Sequence, residues 1–575
     1  MELDTSQEGL VSARAREYRA VVDATGPWLH LEWAGGRVSL GCGAGEAGGR
    51  WRLERVASEP PEIVLSSGDG RRIRIEPKDE LIFLTAELPE PTSAPALLVG
   101  PSTPAFRSLF SPEPTAFRRR RFAPYERAVA AVGSDPTFHG GNWFFSPPPF
   151  CFALEGMEGG GWLSVGVAAR VEELDFSSFE YDGVDSPSPR EPALWHVHAS
   201  PMGRGPGFRL RYDRPAGGPY VSPRLVLLPG ATDPYEAVGA YCDHLRDTGL
   251  APRGTGRRPA DWWTEPNFCG WGEQSYRGYD PATHVPGCLP AGAPARCGQA
   301  LYEDVLARLE REGIGPGVVT VDDKWQRAYG IARPEGTRWP NLPGFIDEQH
   351  RRGRKVLLWW KLWDGEGLPA DELLPGGARP VVDPTVPEYR ERLAREVRHA
   401  LLELGADGFK VDFLHRGPTP EHGPSRSGAA GVRLLREMLE ALRIPALEAK
   451  VDCLLVSHAA NPYLADLVDV VRLNDVSCPP DADSLVNEMR HRARIARAAC
   501  PQAIIDTDNW PAPDRSRWRE YVAAQPEIGV PSLYYATGID LSGEPLLPED
   551  YELVRDSWRR WRATGKGTQN RSLSP

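Results

Sequence analysis

Short stretches of alternating hydrophobic and polar residues fill the N-terminal part of the chain, from about residue 18 to residue 229. The clearest examples, separated by glycine- and proline-rich turns, are LHLEW at 29–33, RRIRIE at 71–76 and FRLRY at 208–212. Alternation with a period of two is typical of strands that bury one face. Helical periodicity first becomes clear at 233–249. The pattern therefore predicts an N-terminal antiparallel β-sandwich over residues 1–250.

Strands and helices alternate in the rest of the chain. Apolar residues that recur every three or four positions predict helices at 389–404, 432–442 and 551–561. Short apolar stretches between the helices predict strands at 267–271, 317–323, 355–360, 407–413, 450–458, 469–475, 503–509 and 530–537. Eight such strands in roughly 300 residues favour a (β/α)8 barrel, expected over residues 256–565, with an open doubly wound sheet as the alternative. Residues 566–575 are expected to form a flexible tail.

Composition and charge narrow the classes of partner. The chain has 575 residues, enough for two or three domains, and its 41% hydrophobic and 25% charged residues are ordinary for a globular protein. A net charge of -12 argues against nucleic acid or an anionic membrane as a partner. We find neither an apolar stretch of membrane-spanning length nor a secretory apolar region near the start, so we expect a cytoplasmic protein. A homo-oligomer is compatible with the sequence.

Nine cysteines are scattered along the chain without a CxxC pair. Cys288 and Cys297 flank a loop rich in proline and glycine, and these two could form a disulfide. Free thiols are the expected state in a cytoplasmic protein. The sequence leaves the state of this pair open.

Charged residues gather at the C-terminal ends of the predicted barrel strands. In GADGFKVDFLHRG, residues 405–417, Lys410 and Asp412 interrupt an apolar stretch and share one face of a strand. Buried charges are costly unless they are paired or used, and barrel enzymes carry their active sites at these strand ends. Further polar or aromatic residues at the predicted strand ends are Asp322, Asp323, Trp360, Lys361, His458, Arg472, Asp475, Asp506 and Asp508. We therefore expect a functional site at this end of the barrel.

Several carboxylates together with a lysine, an arginine and tryptophans are typical of glycoside hydrolysis, which needs one carboxylate and one proton-donating carboxylic acid. Asp412 and Asp475, on the fourth and sixth strands, are the natural pair because these strand ends can face each other. Two alternatives stay open: Lys410 and Asp412 could form a structural ion pair, and Asp475 could cap the following helix. We expect no cofactor and no metal.

Three motifs resemble the signatures of glycoside hydrolase family 36, and in particular its α-galactosidases and its raffinose-synthase-like branch. They are VDDKWQ at 321–326, GADGFKVDF at 405–413 and VVRLND at 470–475. Families 27 and 31 belong to the same clan. The chain departs from the family pattern at Lys324, where glycine is usual, and at Asn474, where serine is frequent.

The resemblance implies roles for individual residues. Asp412 would be the nucleophile and Asp475 the acid/base. The implied substrate-binding residues are Lys410, Arg472, Asp322, Asp323 and Trp360, with the two neighbouring aspartates on the 4- and 6-hydroxyls of galactose. Trp271 and His458 are further candidates for substrate contact.

The sequence thus predicts a retaining α-glycoside hydrolase, most closely an α-galactosidase, that acts on an oligosaccharide or another glycoside. Within the same clan, a galactosyl transglycosylase or an α-glucosidase-like enzyme is the alternative. A metal-dependent sugar isomerase with Asp, Glu and His ligands at the strand ends represents a different class, and His458 keeps this alternative open.

Overall fold

The structure is a computed structural model. It describes residues 2–42, 50–89, 96–99, 106–110, 112, 119–121, 151–157, 159–182, 207–212, 219–285, 290, 292–377, 379–414, 422–473, 475 and 485–564.

Two antiparallel sheets form the N-terminal part of the described chain. Their strands are β1 (Glu2–Asp4), β2 (Leu10–Arg14), β3 (Tyr18–Asp23), β4 (Trp28–Trp33), β5 (Gly36–Gly41), β6 (Trp51–Ser58), β7 (Pro61–Ser67), β8 (Arg72–Pro77), β9 (Ile82–Leu88), β10 (Ala96–Val99), β11 (Ser108–Phe110), β12 (Arg119–Arg121), β13 (Cys151–Glu155), β14 (Trp162–Ala168), β15 (Phe176–Asp182), β16 (Gly207–Tyr212), β17 (Tyr220–Val221) and β18 (Arg224–Ala231). The first sheet has the order β1-β2-β3-β4-β5-β10-β16-β15. The second has the order β12-β11-β13-β14-β18-β9-β8-β7-β6, with β17 beside β9.

The two sheets face each other, as the alternating pattern predicts. Phe152 of the second sheet packs against Phe179 and Phe208 of the first, with ring centroids 5.5 Å apart in both pairs. The predicted strands at 29–33, 71–76 and 208–212 appear as β4, β8 and β16. In β4 the residues at odd positions from Leu29 to Trp33 are buried and those between them are exposed, so hydrophobic alternation alone locates the core face.

Strands and helices alternate through the rest of the described chain. The strands are β19 (Asn267–Cys269), β20 (Val318–Val321), β21 (Gln326–Ala328), β22 (Ile331–Pro334), β23 (Lys355–Trp360), β24 (Gly408–Val411), β25 (Leu454–Ser457), β26 (Val470–Arg472), β27 (Ile504–Asp506) and β28 (Ser532–Leu533). The helices are α1 (Pro234–Asp247), α2 (Trp271–Tyr276), α3 (Gln299–Arg311), α4 (Leu342–Arg351), α5 (Pro387–Arg398), α6 (Gly431–Ala449), α7 (Leu485–Ala499), α8 (Arg515–Ile528) and α9 (Pro548–Ala563).

Eight of these strands form a parallel barrel, and β21 and β22 form a separate hairpin. The barrel order is β27-β26-β25-β24-β23-β20-β19-β28. Its two ends meet because Val530, just before β28, pairs with Asp506 of β27. The Val530 N–H donates to the Ile505 carbonyl at 2.8 Å, and its carbonyl accepts from the Thr507 N–H at 3.0 Å. The prediction of a barrel is confirmed, and the alternative of an open doubly wound sheet is wrong.

The inward-facing side chains of the barrel change from apolar to polar along each strand. A cluster of buried apolar residues closes the N-terminal end, and Trp263 lies within it. Val318 and Val470 belong to this floor. Two residues further along the same strands stand the buried polar residues Thr320 and Arg472. Because side chains repeat every second residue on one face, the C-terminal half of the barrel interior becomes charged.

Several strands are shorter than the apolar stretches that predict them. The last stretch, 530–537, contributes only β28. Past β28 the backbone N–H groups bind side chains instead of a neighbouring strand: Tyr534 donates to Asn509 Oδ1 at 2.9 Å, and Ala536 donates to Glu273 Oε1 at 2.6 Å. Buried backbone groups need a partner of some kind, and apolar sequence does not reveal which one they find.

Cys297 is buried, and its thiol donates to the Asp322 carbonyl at 3.2 Å. Cys288 and residues 566–575 lie outside the described residues, so the state of the Cys288 and Cys297 pair stays open and the flexible tail stays a prediction. Among the described helices, none combines the length and the apolar character needed to cross a bilayer.

Candidate active site

Lys410 in β24 forms a buried ion pair across the barrel interior. Its Nζ donates to Asp322 Oδ2 at 2.7 Å, and the Tyr534 hydroxyl and the Cys269 Sγ lie 3.3 and 3.5 Å from the same nitrogen. The Lys410 and Asp322 side chains are only 5% and 3% exposed, so each charge depends on the other for compensation. The ion pair considered from sequence joined Lys410 to Asp412; the partner found here is Asp322.

Asp412 follows β24 directly and is surrounded by donors. Its Oδ1 accepts from Arg472 Nη1 at 2.9 Å and from the Phe413 N–H at 2.8 Å, and its Oδ2 accepts from Trp359 Nε1 at 3.0 Å. Burial raises the pKa of this carboxyl, but the positive charges of Arg472 and Lys410 outweigh that effect and hold the pKa well below its usual range. Asp412 is therefore ionised at neutral pH.

The backbone after Asp412 adopts an unusual conformation. Phe413 has φ of 56°, which places a bulky residue in the left-handed region. This turn allows the Phe413 N–H to reach the Asp412 carboxylate. Strained residues of this kind cluster at functional sites, where the surrounding structure holds them in place.

Arg472 at the end of β26 joins three carboxylates. Besides Asp412 it binds Asp475, with Nη2 at 3.1 Å from Oδ1, and Asp508, with Nε at 2.7 Å from Oδ2. The Arg472 side chain is almost completely buried. Charge-assisted bonds of this type are among the stronger hydrogen bonds in proteins. One guanidinium thus brings the carboxyl groups of the fourth and sixth barrel strands into the same cluster.

Asp475 differs from Asp412 in its ionisation. About 20% of its side chain is exposed, yet dense protein surrounds the carboxyl. This desolvation raises the pKa of Asp475 to about 7; Arg472 opposes the shift, and the charges of Asp508 and Asp412 add to it. Two carboxyl groups on one guanidinium therefore have pKa values displaced in opposite directions.

Asp323 carries a buried oxygen that lacks a hydrogen-bond partner among the described residues. Its Oδ2 accepts from the Tyr329 hydroxyl at 3.3 Å, whereas its buried Oδ1 has no hydrogen-bond partner in the described part of the chain. Burial and the neighbouring charge of Asp322 raise the pKa of Asp323 to about 7. A ligand hydroxyl that donated to Oδ1 would remove the cost of leaving that atom without a partner.

The structure does not bring Trp360 to this cluster. Its ring packs against Phe409, with centroids 5.5 Å apart, and its Nε1 donates to the Tyr329 carbonyl at 2.8 Å. Trp359, which sequence analysis did not select, donates to Asp412 instead. Strand parity explains the difference, because Trp359 pairs in register with Lys410 and shares its inward face.

His458 and Trp271 occupy different surroundings. His458 is fully buried; its Nε2 accepts from the Leu414 N–H at 3.2 Å and lies 3.5 Å from Asp412 Oδ1. Burial lowers the pKa of His458 to about 4, so the ring is neutral at physiological pH. Trp271, at the start of the helix after β19, packs edge-on against Trp510 with centroids 5.6 Å apart. The cluster includes His458, while Trp271 lies at the same end of the barrel.

Three other residues around the cluster were not assigned a role from sequence: Cys269, Asp508 and Tyr534. Asp508 stands at a predicted strand end, but its bond to Arg472 depends on the neighbouring strand. Within the described residues, no group of three or more His, Cys, Asp or Glu side chains is arranged to hold a metal ion.

No family model and no curated protein matches the chain. The solved structures with a similar fold include several glycoside hydrolases. An α-galactosidase from Thermus thermophilus in complex with stachyose is 19% identical, with a TM-score of 0.52, over 86% of this chain and 99% of that one. A family 31 sulfoquinovosidase from E. rectale, in complex with an aza-sugar inhibitor, is 12% identical, with a TM-score of 0.56, over 98% and 82% of the two chains.

A family 36 α-galactosidase from Geobacillus stearothermophilus is also 12% identical, with a TM-score of 0.51, over 98% of this chain and 86% of that one. The chain thus has the fold that glycoside hydrolases of families 31 and 36 share. This agrees with the clan to which its motifs point.

Proposed function

We propose that this protein is a retaining α-glycoside hydrolase that acts on α-galactosides. The observation that carries the proposal is the pair of Asp412 and Asp475 on one guanidinium, with the first pKa lowered and the second raised. A retaining hydrolase needs an ionised carboxylate to attack and a protonated carboxylic acid beside it. The lowered pKa suits Asp412 to the role of nucleophile, and the raised pKa suits Asp475 to the role of acid.

The reaction proceeds in two displacements. The Asp412 carboxylate attacks the anomeric carbon while Asp475 gives its proton to the leaving oxygen, so the glycosidic bond breaks and a glycosyl ester forms on Asp412. Asp475, now ionised, takes a proton from water as the water oxygen attacks the same carbon. The ester bond breaks, the Asp412 carboxylate is restored, and the sugar leaves with its original anomeric configuration.

Galactosides are proposed as substrates on two grounds. The DD pair of the VDDKWQ motif supplies Asp322 and Asp323, and the buried Oδ1 of Asp323 is suited to accept a hydrogen bond from a sugar hydroxyl. Two structures of the Thermus thermophilus α-galactosidase contain stachyose or a nitrophenyl α-galactoside.

We also propose that residues 256–565 form the catalytic domain and that residues 1–250 form a separate sandwich domain.

A panel of nitrophenyl α-glycosides with galactose, N-acetylgalactosamine, glucose and xylose tests the proposal. We expect hydrolysis of the galactoside, with loss of turnover and an unchanged melting temperature in Asp412→Asn. Asp371→Asn, at an exposed aspartate in a short 3-10 helix between β23 and α5, is the matched control and should retain full activity. Retained hydrolysis in Asp412→Asn would refute the assignment, and preference for another sugar would correct the substrate.

A further inference from the structure

A fully buried arginine on α7 binds the backbone that carries Asp475. Arg492 Nη1 donates to the carbonyl oxygens of Leu473 at 2.9 Å and Asp475 at 2.6 Å. Its Nε donates to Glu488 Oε1 at 3.2 Å, one helical turn earlier, and neither side chain has any exposed surface. The pair therefore attaches the helix to the end of the strand that leads into the candidate site.

Strand pairing and Arg492 both hold the described backbone that leads to Asp475. Strand β26 ends at Arg472, which pairs with Asp506 of β27, and the Leu473 N–H still donates to the Asp506 carbonyl at 2.9 Å. Beyond that point the carbonyls of Leu473 and Asp475 accept hydrogen bonds from Arg492. Burying an ion pair costs desolvation that apolar residues of the same volume would avoid. An apolar side chain could fill the same space at lower cost. The two hydrogen bonds to backbone carbonyl oxygens are what the arginine adds.

We propose that Arg492, held by Glu488, is a positioning residue that fixes the Asp475 backbone so that the carboxyl meets the leaving oxygen of the substrate. The inference rests on the proposed function, because it needs Asp475 to be the acid. Displacing a reacting group by about 1 Å can cost roughly 100-fold in rate. Because Arg492 acts through Asp475, the loss of rate in an Arg492 variant should be larger for a substrate whose leaving group must be protonated.

Two substrates separate positioning from general stability. A nitrophenyl α-galactoside leaves readily without protonation, whereas an α-galactosyl disaccharide needs the acid. The main variant is Arg492→Met with Glu488→Leu, which removes both charges together and so leaves neither charge buried alone. We expect kcat/KM to fall about 100-fold for the disaccharide and less than about tenfold for the nitrophenyl substrate.

Further variants provide the references. Arg492→Lys keeps the charge but places all its donors on a single nitrogen, so it should give a ratio of the two kcat/KM values between those of the wild type and the double variant. Arg497→Met changes another α7 arginine that donates to a backbone carbonyl, that of Ile528, and should leave the ratio unchanged. Asp475→Ala should show the same split between substrates as the double variant, but larger.

Each outcome decides the proposal. Equal losses on both substrates in the double variant would make the ion pair purely structural and overturn the inference while Asp475→Ala still shows the split. Absence of a split in Asp475→Ala, or no glycosidase activity in the wild type, would overturn the proposed function and the inference with it. Should the double variant fail to fold, an unchanged ratio in Arg492→Lys would also overturn the inference.

Discussion

Replacing Lys410 with methionine should destabilise the barrel by removing one charge from a buried ion pair. Lys410 Nζ lies 2.7 Å from Asp322 Oδ2, and the side chains are 5% and 3% exposed. Methionine keeps most of the apolar stem, so the Asp322 carboxylate stays buried with two neutral donors, the Cys269 thiol and the Asp323 N–H, each at 2.9 Å. Breaking a buried pair in this way costs about 3–5 kcal/mol.

Urea unfolding of four proteins measures this cost: the wild type, Lys410→Met, Asp322→Asn and the double variant. The double variant should be more stable than the sum of the two single losses implies, because neither charge is then left without its partner. Lys324→Met is the control. Its partner is Glu366, the two side chains are 20% and 44% exposed, and a loss below about 1 kcal/mol is expected.

Two results would refute this reasoning. One is a Lys410→Met variant that unfolds at the same urea concentration as Lys324→Met. The other is strict additivity of the two single losses in the double variant. Either result would mean that the buried pair does not stabilise the fold in the way its geometry implies.

Two further predictions concern turnover. Because Asp475 must be protonated to act as the acid and burial raises its pKa to about 7, kcat/KM for a disaccharide should fall as pH rises through about 7. The plateau should extend to acidic pH because the Asp412 pKa is lowered; a pH–rate profile without the alkaline decrease would contradict this. Trp359→Phe removes a 3.0 Å hydrogen bond that orients the Asp412 carboxylate, and misplacing a reacting group costs up to roughly 100-fold in rate, so kcat should fall about 10- to 100-fold. Trp360→Phe should leave kcat unchanged, and equal effects of the two substitutions in steady-state kinetics would contradict the register argument.

The barrel could be predicted from sequence because parallel strands covered on both faces read as short apolar stretches, which can be counted. The choice between Trp359 and Trp360 was harder, since two adjacent tryptophans look alike in an apolar stretch. Only the pairing of Trp359 with Lys410 fixes which one faces inward. The sequence shows which residues of β24 share a face, because side chains alternate along a strand. It does not show how β23 and β24 are aligned with each other.

Contacts across the barrel were beyond prediction for a related reason. Lys410 pairs with Asp322, which is far away in sequence, because both side chains reach into the same interior space. Arg492 gave no signal in the sequence, because its partners include backbone carbonyls that every residue possesses. The motifs predicted which strand ends carry the candidate site. Which charged side chains contact each other there could be read only from the structure.

The most direct test of the account is to identify the residue that becomes glycosylated during turnover. A 5-fluoro-α-galactosyl fluoride should react with the protein, and intact-protein mass spectrometry should show the addition of one fluorogalactosyl group. Peptide mapping should place this group on Asp412, and Asp412→Asn should remain unlabelled. A label on another side chain, or turnover with inversion of the anomeric configuration, would contradict the double-displacement account.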